Sequence, residues 1–267
     1  MDKSSVRGTN MIGGGEVEAI SVDVDQHNVH KTNTIFWDTI GNDVLGATAL
    51  PLYGAFVSED KCQLFGDVSG KRMLEIGCGS GQSLKYLGER KAAELWGMDL
   101  SENQIEKTKQ LLTSYGLSAT LICSPMEEEC GIPKEYFDFV YSIYAVGWTT
   151  DIERTFRQIA SYLKKNGVFI FSWSHPIHKC VAPENDRLVF KKCYFDESWY
   201  SVTLGGSTLT LSDRKLSTYV NALAQAGFVI EQLIEESDDE IIQSSGGDFA
   251  KKAKMLPVTF VIKARKL

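Results

Sequence analysis

A glycine-rich turn carries the clearest chemical signal in the chain, Leu74-Glu75-Ile76-Gly77-Cys78-Gly79-Ser80-Gly81. Glycine there permits positive φ and lets a ligand approach the backbone closely. A helix that begins after such a turn presents N–H groups without intrahelical partners, which suits an anionic or polar ligand group. Twenty residues beyond Gly79 stands Asp99, the spacing of an acid that takes ribose hydroxyls from the end of the next strand. A glycine turn alone says little, because a tight strand-to-helix junction without any ligand needs the same residues. Turn, helix, strand and acid in register predict a nucleoside site.

Two common nucleotide sites do not fit. The dinucleotide fingerprint needs Gly or Ala three positions after the second glycine, where this chain has Gln82. No Lys-Ser/Thr pair follows the loop, which excludes a phosphate-cradling P-loop. Glu75, two residues before the first glycine, suits a cationic ligand better than a diphosphate. Cys78, inside the loop, reads as a small side chain and not as a nucleophile. The histidines form two pairs, His27/His30 and His175/His178. Structural zinc wants four ligands in paired spacings, so no metal site is expected. His175 follows an apolar strand, at the edge where ligands of open α/β sheets bind. It reads either as a substrate-side polar group or general base, or as a residue that fixes its loop.

The elements that must position these residues are legible as alternating runs. Strand-like segments cover Arg72–Ile76, Glu94–Met98, Ala119–Cys123, Phe137–Ile143 and Val168–Trp173. Each is short and nearly continuous in apolar residues, as buried parallel strands should be. Ser101 with Gln104 makes a capping box, Ile105, Thr108, Leu112 and Tyr115 recur at helical spacing, and Gly116 supplies the stop. Thr150 with Glu153 makes a second box before Ile152, Phe156, Ile159 and Leu163, ending at Asn166-Gly167. Such alternation predicts an α/β fold with a doubly wound parallel sheet and right-handed connections. After Trp173 it breaks. Residues 175–211 hold hairpin-like segments (Leu188–Phe195, Ser207–Leu211), followed by a helix from about Asp213 to Ala226 and strands at Phe228–Ile234 and Val258–Ala264. The aromatics Phe190, Tyr194, Phe195, Trp199 and Tyr200 read as the underside of a lid, the wall of an apolar substrate pocket, or both. The acidic run Glu235–Glu240 reads as a solvated loop. Residues 1–30, with Gly13-Gly14-Gly15, read as a loose arm ahead of one domain over 31–267.

From about Asn33 to the C-terminus the sequence resembles the class I S-adenosylmethionine-dependent methyltransferases, of the small-molecule type akin to quinone-biosynthesis methyltransferases. The resemblance lies in the Glu-x-Gly-x-Gly-x-Gly loop, Gly97-Met98-Asp99-Leu100-Ser101, Phe137-Asp138-Phe139-Val140 and Leu163-Lys164-Lys165-Asn166-Gly167. It implies a Rossmann-like seven-stranded, mostly parallel sheet whose last strand runs antiparallel in a hairpin with the sixth. It also implies S-adenosyl-L-methionine as cofactor. Glu75, Gly77 and Gly79 would then meet the methionine end, with Cys78 and Gly81 of the same loop also cofactor-binding; Asp99 would take the ribose hydroxyls and Leu100 would flank the adenine. Ser124, Pro125 and Met126 match the adenine-side loop, with Ser124 in place of the family's usual Asp. Ser142 and Tyr144 fall where residues face the methylsulfonium, which makes Tyr144, with His175, a catalytic candidate. Asn33-x-x-x-Trp37 and Leu52-Tyr53-Gly54 resemble the segment that folds over the cofactor, adding Trp37 and Tyr53 to its contacts.

Composition bounds the rest. The chain has 267 residues, 43% of them hydrophobic and 10% aromatic, which excludes a disordered protein. With 28 Lys+Arg against 35 Asp+Glu, the net charge of −7 offers no broad basic face for nucleic acid. No apolar stretch approaches the roughly 20 residues that span a bilayer. Met1-Asp2-Lys3-Ser4-Ser5 lacks an apolar signal core, so a cytoplasmic location is expected. The cysteines at 62, 78, 123, 130, 180 and 193 form no Cys-x-x-Cys and are expected as free thiols. The expected activity is methyl transfer to a small-molecule acceptor, with residues 175–211 and the N-terminal arm closing over it. The alternatives are an RNA or protein methyltransferase, for which no Asn-Pro-Pro-Tyr-type motif is present, and a non-catalytic protein that binds the same cofactor.

Overall fold

Apolar runs that must be covered on both faces become the centre of a seven-stranded sheet. The structure, a computed structural model, describes the chain except residues 1–5, 13–14, 40–44, 46–47 and 186. The chain opens with strands β1 (Val6–Ile12) and β2 (Gly15–Ser21), helix α1 (Gln26–Thr39), the short pair β3 (Leu52–Gly54) and β4 (Val57–Ser58), and α2 (Glu59–Cys62). Alternation then sets in with β5 (Arg72–Ile76), α3 (Gln82–Glu89), β6 (Glu94–Asp99), α4 (Glu102–Ser114), β7 (Thr120–Cys123) and β8 (Phe137–Ile143). A 3-10 turn (Val146–Trp148), α5 (Ile152–Tyr162) and β9 (Leu163–Ser174) complete it. The next stretch contains α6 (Pro176–Cys180), β10 (Val181–Glu184), β11 (Arg187–Phe190), β12 (Trp199–Leu204) and β13 (Ser207–Ser212). The chain closes with α7 (Leu216–Gln225), β14 (Phe228–Ile234), α8 (Asp239–Ser245), α9 (Gly247–Ala253) and β15 (Thr259–Lys266).

The main sheet has the order β14-β15-β9-β8-β5-β6-β7. β5 pairs in parallel with β6 and β8, β6 with β7, and β8 with β9. β15 runs antiparallel to both β9 and β14. The strand order therefore reverses between β5 and β8, which opens a crevice at their carboxyl ends. Alternation of side chains along each strand divides the core into two layers. In β9, Phe169 and Phe171 pack with Phe156 and Tyr219 on one face, while Ile170 joins Tyr141, Leu84 and Leu87 on the other. All six cysteines are free. Among the described residues no helix is long and apolar enough to cross a membrane.

Several expectations change on contact with the structure. Residues 6–12 and 15–21 of the supposed loose arm form an antiparallel hairpin, and β2 adds to β12, giving a four-stranded sheet β1-β2-β12-β13. Residues 1–5 and two of its three glycines, Gly13 and Gly14, lie outside the described residues. The N-cap of α5 is Asp151, whose Oδ1 accepts the Arg154 N–H at 2.9 Å, and not Thr150. β14 and β15 pair as expected, but α8 and α9 lie between them, so the link is no tight hairpin. The acidic run is not uniformly solvated. Glu235 reaches His175 Nε2 at 2.7 Å, and the nearly buried Asp238 caps α8 by accepting the Glu240 N–H at 3.0 Å.

Candidate active site

The carboxyl ends of β5, β6, β8 and β9 converge on a cavity of about 260 Å³. Its wall brings together Glu75, Gly77, Cys78, Gly79, Asp99, Leu100, Ser124, Pro125, Met126, Trp37 and Tyr144 from the residues singled out by sequence. The glycines earn their places individually. Gly77 has φ +73°, and a Cβ there would stand 2.3 Å from the Ala145 Cβ. Gly79 has φ +52°, and a Cβ there would meet nothing within 4 Å, so the space in front of it is open to a ligand.

Asp99 closes the turn. Its Oδ2 accepts the Gly79 N–H at 2.8 Å and its Oδ1 the Ser101 N–H at 3.0 Å. The carboxylate has about four acceptor directions against the N–H groups of Gly79, Ser101 and Leu100, so capacity remains for a ribose hydroxyl. Burial raises the Asp99 carboxyl from its usual range, with the N–H groups of Ser101 and Gly79 working against the rise. Glu75 is 2% exposed, accepts from Tyr141 Oη at 3.3 Å, and is raised well above an ordinary carboxyl by burial. A bound cation would favour the ionised form of Glu75, and a ribose diol suits Asp99. This donor and acceptor set fits a cationic nucleoside such as S-adenosylmethionine.

Beyond the glycine loop the wall turns aromatic. Trp37 on α1 meets Trp148 edge-on at 5.7 Å between centroids, Trp148 meets Trp173 at 5.0 Å, and Trp173 meets Tyr144 at 5.2 Å. All four rings line the cavity. Tyr144 adopts φ +54°, rare for a non-glycine residue, directly after β8. Its N–H donates to Ser172 Oγ at 3.1 Å. Burial raises the Tyr144 phenol, opposed by hydrogen bonds to Ser174 and Thr259, so it is a neutral hydroxyl at ordinary pH.

Four candidates fall off the wall. Tyr53 is fully buried, and its Oη donates to Glu59 Oε2 at 2.6 Å. Gly81 is the N-cap of α3 and faces Thr108. Ser142 is buried and donates to the Ile76 carbonyl at 2.9 Å, clamping β8 to β5. His175 caps α6, its Nδ1 accepting the Ile177 N–H at 3.1 Å while Nε2 faces Glu235 at 2.7 Å. Both ring nitrogens have partners and His175 is not on the cavity wall, which supports the loop-fixing reading over that of a base. The predicted aromatic wall is also relocated. Phe190 and Phe195 are 65% and 76% exposed, and Tyr200 is buried in a satellite core with Phe36, Leu209 and Leu211.

Sequence reasoning passed over other lining residues. His30 on α1 stands 3.1 Å from Glu127 Oε1, and Thr150 donates to the same oxygen. The hydrogen bond that His30 donates to Glu127 raises its pKa against the opposing effect of burial. Burial pushes Glu127 up, but the bonds from His30 and Thr150 hold it below its usual range. Trp148 and Trp173 were findable, since one follows and the other ends a strand at the carboxyl edge. Lys179 and Phe249 carried no such signal.

Residues 74–171 match the Methyltransferase domain family. An uncharacterized protein of Haemophilus influenzae is 28% identical over 76% of this chain and 84% of its own length. A ubiquinone biosynthesis O-methyltransferase of Rhodopseudomonas palustris is 27% identical over 57% of this chain, and the match spans 62% of that protein. The crystal structure of an S-adenosylmethionine-dependent methyltransferase from Mesorhizobium loti superposes with TM-score 0.66 at 25% identity, over 77% of this chain and 95% of that one. The strand order with its antiparallel β15, the match over residues 74–171 and these likenesses agree: the chain has the class I methyltransferase fold and carries a methyltransferase domain similar to S-adenosylmethionine-dependent enzymes.

Proposed function

We propose that the cavity binds S-adenosyl-L-methionine over β5–β7 and a small apolar acceptor over β8–β9, and that the chain transfers the methyl group between them. The observation that carries this reading is that one continuous cavity is lined by the Asp99–Gly79 turn and by the four-ring aromatic wall. When bound, the cofactor supplies an activated methyl group on a sulfonium. Glu75 balances that positive charge, Asp99 takes the ribose hydroxyls, and Leu100 with Ser124, Pro125 and Met126 holds the adenine. Glycines 77 and 79 let the ligand approach the backbone. What remains for the protein is in-line positioning, worth effective molarities of about 10⁵ M or more when well aligned. Tyr144, neutral and beside the aromatic wall, orients the acceptor by hydrogen bonding and does not act as a base. The likeness to ubiquinone biosynthesis O-methyltransferases supports an apolar acceptor.

The cover over this cavity is read as the insertion after β9, residues 175–211, joined by the N-terminal hairpin and α1. Its support is the shared sheet β1-β2-β12-β13 and the two α1 residues, His30 and Trp37, on the cavity wall. A cover of this kind excludes water and completes the acceptor site. The test is turnover. Incubation with methyl-labelled S-adenosylmethionine and a metabolite extract should label at least one small molecule, at a rate lost when residues 180–209 are replaced by a short Gly/Ser linker. Cofactor binding without any labelled product would favour the non-catalytic alternative.

A further inference from the structure

Lys179 lies in the cavity wall although it is only 5% exposed. Among the described residues its ammonium makes no hydrogen bond and no ion pair within 4.0 Å. The acid whose charge acts on it, Asp213, is already taken up: one oxygen by Lys192 and the other by Tyr200 Oη at 2.9 Å. A buried ammonium without a partner is costly, so folded proteins seldom keep one. Burial accordingly lowers its pKa, Asp213 opposes the shift and Lys192 reinforces it.

The backbone under Lys179 is fixed. The fully buried Lys252 of α9 donates to the His178 carbonyl at 2.8 Å and to the Val181 carbonyl, closing the end of α6. Position in the sheet says what the ammonium faces. The glycine loop, Asp99 and Ser124–Met126 stand over β5, β6 and β7, whereas Lys179 follows β9 and shares its stretch of wall with Trp173, Ser174 and Phe249. It is the only lysine or arginine among the described lining residues, and the acids Glu75, Asp99 and Glu127 lie on or beside the opposite half.

On the reading above, with the acceptor over β8–β9, we propose that Lys179 pairs with an anionic oxygen of the methyl acceptor, and that the acceptor is a flat apolar molecule bearing a carboxylate or phenolate. The aromatic wall takes the apolar body and the ammonium takes the charge. The anion supplies a partner that Lys179 lacks among the described residues, and a charge-assisted contact in a dry pocket discriminates strongly against neutral isosteres.

The test uses the full chain saturated with S-adenosylhomocysteine. Titration with benzoate, 4-hydroxybenzoate and 4-nitrophenolate is compared with benzamide, 4-hydroxybenzamide and 4-nitroaniline, in the parent and in Lys179→Met. At least one anion should bind the parent about tenfold or more tightly than its neutral isostere, and the variant should lose that preference. A carboxylate or a phenolate preference identifies which anion is read. Lys179→Met should also melt at or above the parent temperature without ligand, since it removes a buried charge with no partner among the described residues. The proposal is overturned if no anion is preferred, if the variant keeps the preference, or if it melts lower or fails to fold, which would make Lys179 structural. A tenfold loss of S-adenosylhomocysteine affinity in the variant would also overturn it, by placing Lys179 on the cofactor's carboxylate. Failure of S-adenosylhomocysteine to bind the parent would instead defeat the cofactor reading itself.

Discussion

The Asn33 carboxamide closes two hydrogen bonds on one residue 177 positions away: Nδ2 donates to the Thr210 carbonyl at 2.9 Å, and Oδ1 accepts the Thr210 N–H at 2.9 Å. Thr210 lies in β13 and Asn33 in α1, one turn before the cavity residue Trp37. The pairing ties the N-terminal cover to the insertion after β9. Asn33→Ala leaves a buried backbone N–H and C=O unpaired, at roughly 1–3 kcal/mol for each. Chemical denaturation should show a loss of about 2 kcal/mol or more. Hydrogen exchange should quicken in α1 and β13 but not in β5. Equal protection in both proteins would show that the two parts are held together by something else.

The His30–Glu127 pair predicts a pH dependence. His30 is raised above its ordinary 6.5, so its contribution is complete below that value and is lost as pH climbs through the higher folded value. Glu127 is held below its ordinary 4.5, so its contribution is complete above that value and is lost as pH falls through the lower folded one. The stability gap between the parent and His30→Gln should therefore be widest between those two ordinary values and shrink in alkali. Urea unfolding from that range into alkali checks it, and a gap that grows as pH rises above the ordinary histidine value would refute the pairing.

His175→Ala separates support from chemistry. Loss of the α6 cap should cost about 1 kcal/mol. The partner Glu235 is 43% exposed, so its contact adds little. Affinity for S-adenosylhomocysteine should stay the same, and the pH–rate profile should keep its shape. Loss of a limb in the ordinary histidine range would restore His175 as a base.

The sheet was legible because buried strands and their helices obey local rules. Phe228–Ile234 is a strand in sequence pattern and structure alike, and Ser101 accepts the Gln104 N–H as the capping box requires. The cofactor half was legible for the same reason, since glycine spacing and Asp99 are set within one strand–helix–strand unit. The acceptor half was not. Lys179 sits between His178 and Cys180, where no spacing tells of burial; its burial follows from elements distant in sequence, such as α9, whose Lys252 holds the backbone beside it. The N-terminal hairpin escaped because its partner β12 lies about 180 residues downstream, beyond any local pattern. Phe190 and Phe195 misled because bulk and aromaticity do not reveal which face of an insertion meets the domain.

The most direct test of the account is calorimetric titration of S-adenosylhomocysteine into the parent and into Asp99→Ala. Two charge-assisted hydrogen bonds from ribose hydroxyls contribute about 1.5–3 kcal/mol each. The account predicts one binding site in the parent, affinity at least tenfold weaker in Asp99→Ala with the fold intact, and no heat from NAD in either protein. Equal affinity in the two proteins, or tight binding of NAD by the parent, would contradict it.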